Sequence, residues 1–229
     1  MLQAISMFMF LFYMVKWDMQ PIFHINIDGP VASGKGTIAK ELGRQLGIGV
    51  LDTGALYRGT AWFMLDQKID TSNEVACLCA MDNMNMVVVV EDGVTKVWVN
   101  GVDITNKIRT EEISRHSSIV SYASVRARLT DIIRDVATKQ SLVVDGRDIS
   151  LRVLPDAKYR FYLTAKRGVR AKRRSEQTGG CPKQIKRDLR VRDRRDNKRS
   201  PRPKGVVVID NSRLDLGATI DKFMEYIRR

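Results

Sequence analysis

Short apolar runs alternate with amphipathic stretches along this chain, and their order predicts an α/β protein. Ile22 to Ile27 is an apolar, β-branched run that stops at Asp28-Gly29-Pro30, the pattern of a buried strand meeting a turn. From Lys35 to Leu46, apolar Ile38, Ala39, Leu42 and Leu46 recur at helical spacing, and Gly47 and Gly49 end the helix. Val50-Leu51 is a second short strand. Asp52-Thr53-Gly54 reads as a turn and cap, and Ala55 to Leu65 as the next helix. This β-loop-α-β-α opening predicts a parallel-sheet core.

The pattern then changes. Met86 to Val90 and Lys96 to Val99 are strand-like, with Glu91-Asp92-Gly93 between them as a hairpin signal and Asn100-Gly101 after them as a turn. Antiparallel hairpins are foreign to a doubly wound core, so roughly 80–107 reads as a small inserted β element. Ile113 to Lys139 reads as one helix, with Val120, Val125, Leu129, Ile132, Ile133 and Val136 as its apolar positions. Ser141 to Val144 is a core strand ending at Asp145-Gly146-Arg147-Asp148, and Tyr159 to Leu163 is another. The segment 166–204 is helical in parts and broken at Gly179-Gly180 and Pro201. Val206 to Ile209 is the last strand and Leu216 to Ile227 the last helix.

Met1 to Val15 is mostly apolar, yet shorter than the roughly 20 residues a membrane-spanning helix needs. It also lacks the basic start and small-residue cleavage site of a signal peptide. The preferred reading is a translation start assigned too far upstream, with Met19 as the true one and residues 1–20 outside the folded unit. The 229 residues carry 44% hydrophobic and 28% charged side chains, an ordinary globular balance with room for a sizeable core. Cys77, Cys79 and Cys181 make an odd, sparse set that fits a reducing compartment rather than a disulfide framework. Two histidines, His24 and His116, exclude sites needing several His ligands. The net charge is +13, and Lys166 to Lys204 alone holds 17 basic and 4 acidic residues, an excess of the same size. The positive charge is thus one segment, suited to something anionic: nucleic acid, a membrane surface or a phosphorylated small molecule.

Gly29-Pro30-Val31-Ala32-Ser33-Gly34-Lys35-Gly36-Thr37 matches G-x-x-x-x-G-K between a buried strand and an amphipathic helix, the context that motif requires. Such a loop folds into a nest whose N–H groups, with the helix N-terminus, bind phosphate oxygens, while Lys35 adds a point charge. Gly36 stands where a Ser or Thr commonly contacts magnesium, so no direct side-chain ligand is expected there. Thr37 and Asp145 are the candidate outer groups for a Mg²⁺ carried by the phosphates.

Asp52-Thr53-Gly54-x-x-Tyr57-Arg58 falls at the carboxyl edge of the sheet, where open α/β folds bind ligands. Its hydroxyl, phenol and guanidinium suit a second, phosphate-bearing substrate. Arg147 and Asp148 reach the same edge and can take a phosphate and a base amino group. In Arg192 to Arg199 acids are interleaved among the bases, unlike a nucleic-acid-binding tail. Together with Arg170, Arg173 and Arg174 these cations suit a moving phosphoryl group.

Together IDGPVASGKGT, LDTGALYRG, NGVDITNKIRTEEIS, VVDGRD, LPDAKYRFYLTA and RDRRDNKR resemble the bacterial cytidylate kinase family, in family order, from Ile22 to the C-terminus. The resemblance implies an α/β P-loop fold with a three-layer parallel-sheet core (21–66 and 140–229). A β-containing monophosphate-binding insert would span about 67–139 and an arginine-rich lid about 175–200. It implies transfer of the γ-phosphoryl of ATP, with Mg²⁺, to CMP or dCMP, in a cytoplasmic monomer that engages neither nucleic acid nor membrane. Carried over by motif, Gly29 to Thr37 would bind ATP. Thr53 (where the family commonly has serine), Tyr57, Arg58 and Arg147 would lie by the CMP phosphate, and Arg199 would join them. Ser118, Arg126 and Asp148 would read cytosine, and Arg192 and Asp196 would contact the acceptor nucleotide. Lys35, Arg147, Arg192 and Arg199 would be catalytic. The lid turn Thr178-Gly179-Gly180-Cys181-Pro182 is shorter and stiffer than the family pattern. Two competing readings are a kinase for another monophosphate or small metabolite and a nucleic-acid-binding P-loop protein. Ser118, Arg126 and Asp148 are the residues that discriminate the first, since faster use of UMP or AMP than CMP would refute their assignment; the interleaved Asp193 and Asp196 argue against the second.

Overall fold

The computed structural model describes residues 21–91 and 93–228. The apolar leader with its upstream-start expectation, and the hairpin residue Asp92, lie outside the described residues. Along the chain the elements are β1 (His24–Asp28), α1 (Lys35–Leu46), β2 (Gly49–Asp52), α2 (Thr53–Asp66), α3 (Glu74–Ala80), β3 (Met86–Glu91), β4 (Val94–Val99) and β5 (Val102–Asp103). They continue as α4 (Glu111–Ile119), α5 (Ala123–Ala137), β6 (Leu142–Asp145), β7 (Tyr159–Thr164), α6 (Arg167–Thr178), α7 (Pro182–Arg199), β8 (Val207–Asp210) and α8 (Leu216–Ile227). A 3₁₀ turn at Lys107–Arg109 precedes α4, and a π-helical turn covers Ile149–Val153.

Five parallel strands form the central sheet in the order β2-β6-β1-β7-β8. Ile25 of β1 pairs with Val143 of β6 and Tyr159 of β7, so β1 is central. Its Ile25 and Ile27 are fully buried, as expected of a strand covered on both faces. One apolar layer joins Ile38 and Leu42 of α1 to Val143, Leu163 and Phe223, with the Phe161 and Phe223 rings 4.5 Å apart. The opposite layer joins Leu51, Leu56, Met64, Leu129, Ile133 and Val144 to Val97 and Val99 of the second sheet. That sheet is antiparallel, β3-β4-β5, and is the β element expected within 80–107. Thr95 of β4 docks it on the edge strand β2, accepting from Asp52 N and donating to Val50 O, each at 2.8 Å. None of the described helices is long and apolar enough to cross a membrane.

Two expectations change. The stretch read as one helix over 113–139 is two, α4 and α5, separated at Val120 to Tyr122. Tyr122 is extended (φ −68°, ψ 160°) and its hydroxyl donates to Thr71 O at 3.0 Å, which turns the chain between the helices. The turn expected at Asp52-Thr53-Gly54 is absent, because α2 begins at Thr53 directly after β2. Asp52 stands at the N-cap but makes no side-chain cap; its carboxylate pairs with arginines instead.

Candidate active site

Strands β1, β2 and β6 end side by side at Asp28, Asp52 and Asp145, and the candidate site is built on those ends. Gly29 leaves β1 at φ 150°. A Cβ there would sit 2.1 Å from Leu163 O, so the loop passes β7 closer than any side chain allows. Ala32, at φ 60°, holds a left-handed conformation without being glycine. The loop's carbonyls are gripped from outside. Arg170 Nη1 donates to Val31 O at 3.0 Å, and Arg173 Nη1 and Asn211 Nδ2 donate to Ser33 O at 3.2 and 3.1 Å.

Lys35 Nζ donates to Pro30 O at 3.1 Å and lies 3.9 Å from Asp145 Oδ1. Burial pushes this ammonium below the ordinary lysine range while Asp145 opposes the shift. Burial likewise pushes the Asp145 carboxyl up to about 6, against the pull of Lys35. A Cβ on Gly36 would approach Asp145 Oδ2 to 3.3 Å. A carboxylate oxygen therefore faces the loop at the position without a side-chain hydroxyl. That donor set fits a hard divalent cation bound through phosphates and water.

Asp52 and Asp145 are register partners on β2 and β6. Asp52 Oδ2 accepts from Arg58 Nη2 at 2.7 Å and Arg109 Nη1 at 3.2 Å. Gly54 permits the first pairing, since a Cβ there would stand 3.0 Å from both Arg58 Nη1 and Asp52 Oδ1. Thr53 spends its hydroxyl proton on Asp145 O at 2.8 Å. Burial pushes the Tyr57 phenol up to about 12.

Arg126 Nη2 pairs with buried Asp148 and donates to Ser200 Oγ at 2.8 Å, while Nη1 donates to Ser121 Oγ at 3.3 Å. The loop Asp145-Gly146-Arg147-Asp148 is fixed from below by Asp28, whose carboxylate accepts from Ile149 N and Ser150 N at 2.7 and 2.9 Å. Helix α7 closes the cavity from the side. Arg192 Nη2 donates to Ser118 Oγ at 2.9 Å, Arg199 Nη1 to Ser118 O at 3.3 Å, and Arg147 Nη1 to Asp196 Oδ2 at 2.5 Å. Burial, with Arg147 nearby, pushes the Arg192 guanidinium down to about 10.

One cavity of about 1160 Å³ unites these groups. Of the residues singled out from sequence, it is lined by Val31, Ala32, Gly34 to Thr37, Thr53, Tyr57, Arg58, Ser118, Arg126, Asp145, Arg147, Asp148, Arg192, Asp196 and Arg199. Gly29, Pro30 and Ser33 are not on its wall; they shape the loop from behind. Arg173 and Arg174 line it, but Arg170 does not. Arg170 is 5% exposed and holds Asp193 through two hydrogen bonds, at 3.0 and 2.8 Å. Arg109, Ser200 and Asn211 also line the cavity and were given no role from sequence. Only Arg109 lay inside a recognised motif, NKIRTEEIS.

The volume exceeds what one drug-sized ligand needs, and the wall combines the glycine-rich loop with the arginines and the Arg126–Asp148 pair. The model of the cytidylate kinase family matches residues 25–229. The chain is 36% identical over 226 residues to a cytidylate kinase of Lactobacillus johnsonii, covering 94% of this chain and 98% of that protein. It is 33% identical over 215 residues to cytidylate kinase 1 of Haemophilus influenzae, covering 90% of this chain and 93% of that one. In fold it is similar to a gluconokinase from Sinorhizobium meliloti (TM-score 0.50, 14% identity, 91% of this chain and 98% of that chain). The chain belongs to the cytidylate kinase family.

Proposed function

We propose that this protein transfers the γ-phosphoryl group of ATP to CMP or dCMP, giving ADP and CDP or dCDP. The observation that carries the reading is that one cavity is lined together by the glycine-rich loop, by Arg58, Arg147, Arg192 and Arg199, and by the Arg126–Asp148 pair. In this reading residues 21–66 and 140–229 are the core, about 67–139 the monophosphate insert and about 175–200 the lid. The protein acts as a cytoplasmic monomer without nucleic acid.

Gly29 to Thr37 hold the ATP phosphates, and Lys35 stabilises charge on the oxygens of the transferred group. Arg58, Arg147 and Arg199 hold the CMP phosphate, with Tyr57 against it. Thr53 serves chiefly to fix Asp145, since its proton is already committed. Asp148 accepts from the cytosine amino group, and Arg126 and Ser118 complete the base contacts. Arg192 and Asp196 contact the acceptor nucleotide from α7. Mg²⁺ bound to the phosphates supplies charge neutralisation, and Asp145 with Thr37 would hold its water ligands. The acceptor oxygen belongs to an ionised phosphate, so no general base is required. Two anions meet end to end, and the cations lining the cavity offset their repulsion. Helix α7 shields the reacting atoms from water.

The test is chromatography of a reaction containing ATP, Mg²⁺ and CMP. Equal amounts of ADP and CDP are expected. ADP released without CDP would mean ATP hydrolysis and would refute the transfer.

A further inference from the structure

The motif reading leaves one cation of the acceptor pocket without a task. Arg109 ends the 3₁₀ turn Lys107–Arg109 and lines the cavity with its side chain about half exposed. Its backbone is fixed on both sides. Ile108 is fully buried, and Thr110 caps α4 by accepting from Ile113 N at 3.3 Å. Its guanidinium reaches across to the end of β2 and meets Arg58 on the same atom, Asp52 Oδ2. Two guanidinium groups converging on one carboxylate oxygen form the arrangement a phosphate oxygen would accept. Burial alone would raise the Asp52 carboxyl. Arg58 and Arg109 outweigh it and hold the group below the ordinary carboxylate range.

The geometry points to Arg109 as a further phosphate-binding residue of the acceptor pocket, and to Asp52 as the positioning residue that keeps Arg58 and Arg109 gathered until the phosphate arrives. This inference rests on the kinase reading above. It has a structural logic: β2 and α2 carry Asp52 and Arg58, whereas Arg109 comes from the segment between the antiparallel sheet and α4. A phosphate gripped by both arginines joins that segment to the core. The α4 helix, beginning two residues after Arg109, carries Ser118 to the base contacts of the kinase reading.

The experiment is steady-state kinetics of Arg109→Ala, Arg109→Lys and Asp52→Asn, with ATP and CMP varied in turn and melting temperature measured alongside. Arg109→Ala is expected to raise KM for CMP about tenfold or more with KM for ATP within about twofold of wild type, since one charge-assisted hydrogen bond to phosphate is lost. Arg109→Lys keeps the charge but loses the fork, and is expected to fall between. Asp52→Asn removes a negative charge beside the phosphate. Simple repulsion predicts a lower KM for CMP, whereas a positioning role predicts a severalfold rise with kcat little changed. An unchanged KM for CMP in Arg109→Ala overturns the inference. So does a parallel rise in both KM values with a fall in melting temperature, which marks a structural role. Wild-type protein inactive on CMP would instead overturn the kinase reading itself.

Discussion

Asp28 lies between the Gly29–Thr37 loop and the Asp145–Asp148 loop and does not line the cavity, so its replacement separates architecture from chemistry. Its carboxylate is fully buried at the end of β1, one residue before the phosphate loop. It accepts from Ile149 N and Ser150 N, the first amides of the turn that follows Asp148. Asp28→Ala leaves both N–H groups buried without acceptors, at about 1–3 kcal/mol each. The buried carboxyl is itself costly, since burial raises its pKa despite these donors, and removing it returns part of that cost. A net loss of about 2–4 kcal/mol remains, equivalent to about 4–16 °C in Tm for a chain of this length. Asp28→Asn keeps one acceptor oxygen and should lose about half as much. Urea unfolding of the three proteins, with slopes compared, measures this directly. A loss below about 1 kcal/mol in Asp28→Ala would mean that water or a neighbour satisfies the two amides, and the account of how the loop is held would be wrong.

Lys35→Ala should lower kcat by about 10²–10³ while far-ultraviolet circular dichroism stays that of the wild type; near-normal turnover would break the phosphate-loop assignment. Ala32→Gly should stabilise the protein by about 0.5–1 kcal/mol in urea. The left-handed backbone costs an L-residue about 1–2 kcal/mol, and glycine's greater freedom in the unfolded chain returns about 0.5–1. Destabilisation would contradict that reading of the loop. Asp145 should titrate near 6 in the carboxyl ¹³C spectrum of the unliganded protein. A carboxyl raised above its unfolded value binds its proton more tightly when folded, so its contribution to stability falls as pH rises from about 4 to about 6. A midpoint at the ordinary aspartate value would remove the buried, Asp52-flanked environment assigned to it.

Much of this arrangement was legible where local chemistry and tertiary structure agree. The α1 helix runs over the range its spacing predicts because Gly34 and Gly47 both take left-handed conformations that punctuate it. The last helix likewise starts where Asp215 caps Ala218 N at 2.8 Å. The break between α4 and α5 was not legible, because the apolar spacing fits both helices and the tether of Tyr122 lies 51 residues away at Thr71. Helix α3 was missed for a different reason: it has seven residues, and Val75 stands exposed while Cys77 is buried, too short a pattern to show a face. Arg170 and Arg173 are indistinguishable in sequence, yet one is locked to Asp193 beneath the phosphate loop and the other lines the cavity. Arg109 acquires a role only when the end of β2 is brought beside it. The Gly29–Thr37 loop is contiguous in sequence, whereas the proposed acceptor pocket draws on five separate stretches between Thr53 and Arg199.

A cytosine-reading role for Ser118, Arg126 and Asp148 is tested by kcat/KM for CMP against UMP at saturating ATP and Mg²⁺. The two differ where CMP offers an amino donor to Asp148 and UMP turns a carbonyl toward the same carboxylate. A buried polar site that loses its partner discriminates strongly, so a preference for CMP of at least about a hundredfold is expected. Equal use of UMP, or faster turnover of AMP or GMP in the same assay, would leave the phosphate chemistry standing and contradict the assignment of Ser118, Arg126 and Asp148.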